Sequence, residues 1–269
     1  YRMIQNYKSS KNDLKINMKE DVLSTSETDI FNWVKKNRAE FAKLKQEEKF
    51  RREFIGNLAH ELKTPIFSTQ GYILTLREGG IDDKNVNRKF LNIALNGVER
   101  MNQIISDLDM ITKFESEKID MEFKENDLVL ICEDIMESLA LKAKEKQVNV
   151  QFSKNYDSPI KVLCDKSKIS QVFQNLIVNA VNYSENKSTV SIRFINLGKN
   201  ILIEIEDEGI GIREKHLKRL FERFYRVDKS RARNEGGTGL GLAIVKHIIE
   251  AHGHSIQVRS SLGLSLIHI

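Results

Sequence analysis

Residues 84–116 carry apolar side chains at heptad spacing, and this pattern limits the possible folds more than any other feature of the chain. Successive positions are separated by 3, 4, 3, 4 and 3 residues, and they are Leu91, Ala94, Val98, Met101, Ile105 and Leu108. This spacing predicts a long helix that packs along a seam against other helices. Ile104 and Ile111 add a second, flanking apolar stripe to the same helix.

A second long helix is predicted immediately before this one. Apolar residues keep a rough spacing of three to four from Ile30 to Phe50, and the pattern then runs through Phe54, Leu58 and Leu62, consistent with a continuous helix to about Arg77. The segment "EGGIDDK" then supplies glycine and aspartate for a turn. Two long helices joined by a short turn form an antiparallel hairpin. Because one hairpin cannot cover two apolar stripes, we predict that it forms a homodimer, a four-helix bundle.

The second half of the chain has a mixed helix and strand pattern that begins near residues 115–125. Asp127 is predicted to cap the first helix of this region, and Gly253 to end the last one. Strands are predicted on either side of the first helix and within "IKVLCD", "STVSIRFIN", "NILIEIEDEG" and "SIQVRSS". The fold class is therefore α+β, a helical hairpin followed by an α/β layer.

Composition excludes several classes of protein. Lysine and arginine number 43 against 38 acidic residues, and no basic run of nucleic-acid-binding type occurs, so we expect no direct nucleic-acid partner. Two cysteines are too few for a disulfide scaffold, and we expect both to be reduced core thiols. No stretch of 18 apolar residues is present. Because the chain starts at Tyr1, we expect a fragment that a membrane segment could precede.

The first candidate site is the segment "FIGNLAHELKTPI" on the first long helix. His60 lies about 160° to 200° around the helix from Leu58 and Leu62, so it faces away from the apolar stripe. A neutral imidazole is a nucleophile, and the adjacent Glu61 can hold its other ring proton. Thr64 lies one turn further on the same face. Pro65 is expected to kink the helix beyond the site. An isolated exposed histidine more often has no functional role. The motifs of the second domain therefore have to decide whether His60 has one.

Three motifs in the second half suggest a nucleotide site. Asn175 and Asn179 lie one turn apart on a helix, and amide oxygens can bind magnesium together with nucleotide phosphates. Tyr183 extends that face with a ring that can pack on a base. Asp207 ends a strand and is followed by Gly209 and Gly211. A carboxylate placed there can accept a hydrogen bond from an exocyclic amine such as that of adenine.

The third motif, "GGTGLGLAIVKHI", leads a glycine-rich segment into an apolar helix. Free backbone N–H groups at a helix N-terminus bind phosphate. The preceding segment, residues 221–237, is rich in arginine, which can supply a counter-charge to phosphate. Each motif alone is weak, and no Walker lysine motif is present.

Together, in this order, the motifs resemble the H, N, D/F and G boxes of sensor histidine kinases, over roughly residues 45–260. The phrases "GNLAHELKTPIFSTQGYILTL" and "FERFYRVDKSRARNEGGTGLGLAIVKHIIEAH" resemble the phosphate-regulon type. The resemblance implies an ATP-dependent autokinase with a gyrase-like α/β-sandwich ATP-binding domain, Mg2+ as a cofactor and a response regulator as partner. It divides the chain into a juxtamembrane linker (1–45), a dimerisation and phosphotransfer domain (46–118) and an ATP-binding domain (119–269).

The resemblance also implies roles for individual residues. His60 would be the phosphoacceptor, Glu61 its proton-handling neighbour, and Thr64 would hold a water for dephosphorylating the regulator. Asn179 would bind magnesium beside Asn175, Asp207 would bind the adenine amine and Arg226 would approach the γ-phosphate. The rest of the nucleotide site would be Tyr183, Gly209, Gly211, Gly237, Thr238, Gly239, Leu240 and Gly241. Residues 221–237 would form a mobile lid, and the full-length protein would be a membrane sensor with this part in the cytoplasm.

The chain departs from the family pattern in two places. Many members have lysine where this chain has Asn182, and the tail "SLGLSLIHI" does not match the usual closing strand. Two other functions stay open on the residues alone. An ATPase that works as a conformational clamp would need a glutamate in "SQVFQNLIVNA", which has none. A catalytically inactive dimerisation scaffold would not need Asn179, Asp207 and the glycines, which are all present.

Overall fold

The computed structural model describes residues 22–116, 120–227, 237–261 and 264–269. The chain contains two compact units, Tyr1–Ile55 and Gly56–Ile269. In the first unit the described residues belong to helix α1, which spans Val22–Thr75 and so continues into the second unit. Surface ion pairs one turn apart join Lys43 to Glu47, Lys49 to Glu53 and Glu48 to Arg52. Large apolar side chains of this unit are exposed: Ile30, Phe31, Trp33, Phe41, Leu44 and Phe50.

The second unit begins with the predicted helical hairpin. Helix α1 continues through Pro65, which is buried within it, and ends in a π-helical turn at Leu76–Gly80. Helix α2, Asn87–Glu115, returns antiparallel to α1. The Tyr72 and Phe90 rings lie 5.1 Å apart, and the Thr69 hydroxyl donates to the Ala94 carbonyl at 3.4 Å. The hairpin prediction is therefore confirmed, since the α-helix ends at Thr75 and the π-helical turn that follows contains Arg77, about where the first helix was predicted to end.

The two apolar stripes of α2 have different surroundings. Ile104 and Ile111 of the flanking stripe are fully buried, on the helix face that packs against the last helix of the chain. Half of the heptad seam is exposed in the single chain, with Leu91 52%, Val98 40% and Ile105 56% exposed, whereas Ala94 is buried and Met101 and Leu108 are half-buried. The hairpin thus leaves one apolar stripe open, and the rest of the same chain covers the other.

The remainder of the second unit is the predicted α/β layer. Its helices are α3 (Leu128–Glu145), α4 (Lys166–Tyr183), the short α5 (Glu214–Leu217) and α6 (Gly241–Ala251). Its strands are β1 (Lys124–Asp127), β2 (Asn149–Phe152), β3 (Lys161–Cys164), β4 (Thr189–Asn196), β5 (Ile201–Asp207), β6 (Gln257–Ser261) and β7 (Leu264–His268). The main sheet has the order β2-β4-β5-β7-β6, and β1 pairs with β3 in a separate two-stranded sheet.

Helices α3, α4 and α6 pack together, and α4 also packs on the sheet. Strands β4 and β5 show the alternation of a half-buried strand, with Val190, Ile192 and Phe194 facing the core. Phe173 of α4 meets Phe194 edge to face at 6.1 Å. This packing fixes the end of β5 beside the face of α4, where two of the predicted nucleotide motifs lie.

Several local predictions are confirmed. The Asp127 carboxylate accepts a hydrogen bond from the Val129 amide at 3.0 Å and so caps α3. Gly253, with φ of +78°, follows the end of α6. Cys132 and Cys164 are buried free thiols, and burial raises the pKa of Cys132 to about 12. Among the residues that the structure describes, no helix combines the length and apolarity needed to cross a membrane.

The C-terminal tail was not predicted as a strand. Its residues form β7, which pairs antiparallel with β5 on one side and β6 on the other. The segment Leu264–His268 does not alternate strictly, because the apolar residues Leu266 and Ile267 are adjacent, so its sequence is a weak signal for a strand. The tail thus closes the sheet directly beside β5, the strand that ends in Asp207.

Candidate nucleotide and phosphoacceptor site

The predicted nucleotide residues meet around one cavity of about 500 Å³. The size suits a drug-sized or nucleotide-sized ligand. Walls of the cavity come from α4, the end of β5, the segment before α6 and, unexpectedly, α2. Predicted residues that line it are Asn175, Asn179, Tyr183, Asp207, Gly211, Arg226, Gly237, Thr238, Gly239 and Gly241. Gly209 and Leu240 are buried beside it, and Asn182 is buried without lining the cavity.

Helix α4 presents Asn175 and Asn179 to the cavity, and an N-cap residue fixes where this helix begins. Asp165 caps it, accepting a hydrogen bond from the Lys168 amide at 3.1 Å. The Asn175 side-chain nitrogen is buried and has no hydrogen-bond partner in the described structure. An unpaired buried amide costs free energy unless a ligand satisfies it. Asn175 and Asn179 therefore have the chemistry and the setting expected of residues that bind a polar ligand.

Asp207 ends β5 inside the cavity and is only 8% exposed. Burial raises the pKa of its carboxyl from the ordinary 3.8 to about 6, although a hydrogen bond from the Gly209 amide at 3.0 Å opposes this effect. The site needs glycine at 209, since a Cβ there would lie 2.5 Å from both Asp207 Oδ1 and the Tyr183 carbonyl oxygen. The buried carboxylate can accept a hydrogen bond from a ligand amine.

The glycine-rich segment joins the cavity to the start of α6. The Thr238 hydroxyl accepts a hydrogen bond from the Leu240 amide at 3.2 Å, immediately before the helix begins at Gly241. Gly239 has φ of +75°, and a Cβ there would lie 2.9 Å from the Phe224 Cα. Glycine thus lets two backbone segments approach at the N-terminus of α6, where helix geometry favours anions.

The predicted phosphoacceptor residues lie on α1. His60 and Thr64 are exposed, and the Thr64 hydroxyl lies 3.4 Å from the His60 carbonyl oxygen, which accepts its hydrogen bond. The Glu61 Oε2 accepts hydrogen bonds from Arg100 at 3.1 Å and Arg226 at 3.2 Å, and the two arginines compensate a largely buried carboxylate. The role of Glu61 as the proton-handling neighbour of His60 stays a prediction.

Arg226 links the two parts of the site. It lines the nucleotide cavity, its side chain is 8% exposed and it binds the carboxylate next to His60. The structure therefore brings the predicted phosphoacceptor segment and the predicted phosphate-binding arginine together. The predicted lid, residues 221–237, is described only in part, because residues 228–236 lie outside the described residues.

Three residues of the site were not predicted from the sequence, and they are Arg100, Gln103 and Asp107 of α2. Arg100 binds Glu61, whereas Gln103 and Asp107 line the cavity. A signal was available, because Arg100, Ile104, Asp107 and Ile111 follow one another at intervals of 4, 3 and 4. Polar residues on an apolar stripe indicate a polar partner across the interface.

Two family models match the chain in succession. Residues 50–117 match the His Kinase A (phospho-acceptor) domain, and residues 164–267 match the histidine kinase-, DNA gyrase B-, and HSP90-like ATPase. The chain belongs to the sensor histidine kinases of two-component systems. The first model contains His60, Glu61 and Thr64, and the second contains the whole predicted nucleotide site.

A curated relative of this chain is the sensor histidine kinase WalK of Bacillus subtilis, which is 38% identical over 216 residues. The match covers 79% of this chain but 35% of WalK, so the chain spans about a third of that relative's length. The comparisons support this WalK-like relation and not the phosphate-regulon type expected from the sequence. The predicted type was wrong because the resemblance rested on the H, N, D/F and G boxes. These boxes serve the chemistry that sensor histidine kinases share, so they do not distinguish one type from another.

Solved structures confirm the fold. The Acinetobacter baumannii histidine kinase AdeS matches with a TM-score of 0.64 and 26% identity, covering 78% of this chain and 95% of AdeS. Histidine kinase ThkA in complex with response regulator protein TrrA matches with a TM-score of 0.62 and 20% identity, covering 84% of this chain and 65% of that one. A helical hairpin followed by an α/β sandwich is therefore the architecture of this chain.

Proposed function

We propose that this chain is the catalytic core of a sensor kinase that uses ATP to phosphorylate His60. The observation that carries the proposal is the ion pair between Arg226, in the wall of the nucleotide cavity, and Glu61, the neighbour of His60. This ion pair supports a nucleotide site that transfers phosphate to a phosphoacceptor beside it. His60 is exposed and so accessible to a γ-phosphate, whereas a clamp ATPase would have no use for it.

The residues present fit ATP and Mg2+. Asp207 would accept a hydrogen bond from the adenine amine, and the start of α6 would face the phosphates. Asn179, with Asn175 beside it, would bind Mg2+ together with phosphate oxygens, and the bound ion would neutralise charge on the transferred group. Among the described residues no cluster of three acidic, histidine or cysteine side chains could hold a metal.

His60 would attack the γ-phosphorus through a ring nitrogen, with ADP leaving. Arg226 would leave Glu61 to stabilise the charge on the transferred phosphoryl group. Glu61, still bound to Arg100, would then be free to take the second ring proton of His60. Arg100 thus holds the carboxylate in place whichever partner Arg226 has.

We also propose that the kinase works as a homodimer with a response regulator as its second partner. The exposed apolar residues of the hairpin support dimerisation through residues 46–118, since a bundle with a second copy would cover them. The ThkA structure was solved with a response regulator, which supports a regulator aspartate as acceptor of the phosphoryl group. The exposed Thr64 beside His60 supports a phosphatase role in the reverse direction. Membrane attachment of the full-length protein and the domain boundary at residue 118 remain proposals drawn from the family resemblance.

Incubation with γ-labelled ATP and Mg2+ tests the function. We expect acid-labile, base-stable label on the parent protein and none on His60→Gln, while both bind ATP with the same affinity by calorimetry. Equal binding is expected because His60 is exposed outside the cavity. His254→Gln, which changes another exposed histidine, is the matched control and should label normally. Wild-type labelling of His60→Gln would show that the acceptor is elsewhere.

A further inference from the structure

One wall of the nucleotide cavity comes from α2, a helix of the phosphoacceptor domain. Gln103 and Asp107 line the cavity together with Asn175 and the glycines before α6. Asp107 is only 5% exposed and lies on the same helix face as the buried Ile104 and Ile111. Neither α2 residue has a part in the reaction proposed above, so a buried carboxylate in an ATP site requires a separate explanation.

The contacts of Asp107 place its charge at the start of α6. Its Oδ2 accepts a hydrogen bond from the Thr238 hydroxyl at 3.0 Å, and the same hydroxyl accepts from the Leu240 amide at 3.2 Å. Its Oδ1 accepts from the Gln103 amide nitrogen at 2.6 Å. Both side-chain donors are neutral, and no ion pair reaches Asp107 within the described part of the chain. Burial accordingly raises the pKa of the Asp107 carboxyl, despite these hydrogen bonds.

The Asp107 carboxylate is an anion in a position that also suits a phosphate group. The start of a helix favours a negative charge, and the hydroxyl and amide donors there are the groups that would bind phosphate oxygens. Two anions cannot share such a site without strong repulsion, because the buried surroundings screen their charges poorly. ATP phosphates and Asp107 should therefore exclude each other from the start of α6.

We propose that Asp107 is a resident anion of the nucleotide site, which weakens the binding of the ATP phosphates while α2 is packed against α6. This inference rests on the proposed ATP site and adds a residue that sets its affinity. ATP binds with its full affinity only when the carboxylate has left Thr238. The phosphoacceptor domain thus controls the phosphate end of the cavity and leaves the adenine end at Asp207 untouched.

Other contacts of the same interface tie the position of Asp107 to the packing of the two domains. Arg100 donates to the Gly237 carbonyl at 3.4 Å. Near the other end of α6, the Phe114 and His247 rings stack with 6.0 Å between centroids. These contacts hold α2 along α6, so the carboxylate cannot withdraw far while they persist. Displacement of Asp107 by phosphate should therefore loosen the whole interface and release Arg226 from Glu61.

Isothermal calorimetry with Mg2+ and two probes tests this inference. Adenylyl imidodiphosphate carries three phosphate groups, and adenosine carries none. The variant is Asp107→Asn, which removes the charge and keeps an acceptor for Thr238. The matched control is Asp109→Asn, the same change two residues away on the exposed side of α2, where Asp109 pairs with Lys113 at 2.6 Å. We expect Asp107→Asn to bind the triphosphate analogue roughly tenfold or more tightly, the effect of one like charge nearby in a partly buried site. Its adenosine affinity, and both affinities of Asp109→Asn, should equal those of the parent.

Three outcomes would overturn the inference. Unchanged affinity of Asp107→Asn for the analogue would mean that the carboxylate does not oppose phosphate. Weaker binding would make Asp107 a magnesium or ribose ligand instead. Equal tightening for adenosine would make the effect one of general opening and not of charge. A parent protein that binds neither probe would contradict the proposed ATP site itself, and circular dichroism of each variant confirms that it is folded.

Discussion

Asp207→Asn should stabilise the nucleotide-free kinase while it weakens ATP binding. The parent carboxyl is 8% exposed, and its pKa is raised by burial from 3.8 to about 6. At pH 7 the group is ionised and its burial is unfavourable, and the rise in pKa corresponds to about 3 kcal/mol. Asparagine removes the charge and keeps an oxygen that can accept from the Gly209 amide. We therefore expect the variant to gain about 2 to 3 kcal/mol of unfolding free energy at pH 7.

The sign of the pH dependence follows from the raised pKa. The folded state binds the Asp207 proton more tightly than the unfolded state does, so this group makes the parent more stable as the pH falls from 7 through 6 towards 4. The variant lacks this gain, and its advantage should shrink to about 1 kcal/mol at pH 4.5. Asp107, whose pKa is also raised, is present in both proteins and cancels from the difference.

Urea unfolding followed by far-ultraviolet circular dichroism at the two pH values measures the stability, and calorimetry measures ATP binding. The control Asp157→Asn removes one exposed carboxylate and should change neither quantity. ATP affinity of Asp207→Asn should fall by one to two decades, since a designed hydrogen bond to a buried group is worth about 1–3 kcal/mol. A variant no more stable than the parent at pH 7 would refute the argument from buried charge, whatever its ATP affinity.

Two further predictions concern the hairpin. Thr64→Ala should keep autophosphorylation within a few-fold and lose most phosphatase activity towards the phosphorylated regulator, because transfer to His60 needs no oriented water. Dephosphorylation at the parent rate, measured with ADP and Mg2+, would show that Thr64 does not hold the water for this reaction. Ile105→Glu should shift the protein from dimer to monomer in sedimentation velocity, because a charge would enter the exposed apolar seam. Ser106→Glu, one residue round the helix and also exposed, is its control, and a dimer in both variants would place the interface elsewhere.

The sequence by itself determined most of the elements, β7 excepted, and the residue types of the site outside α2. Heptad spacing in α2 follows from local geometry, as does the cap at Asp127, so both could be read without knowing what packs where. The spacing of Asn175 and Asn179 places them on one face of α4 by the same rule. Alternation along β5 likewise places Asp207 at the strand end that follows the apolar positions. These predictions depend only on periods of 3.6 and 2 residues.

Only the tertiary structure decided which partners the charged residues have. Glu61 binds Arg100, 39 residues away, and Arg226, 165 residues away, and Asp107 meets Thr238 at a separation of 131. No local pattern encodes such pairs, because the first exists only once α1 lies against α2, and the other two only once the hairpin packs against the α/β layer. The reason is physical, since a carboxylate takes the partners that best compensate its burial. Those partners are set by the packing of whole helices and not by neighbours along the chain.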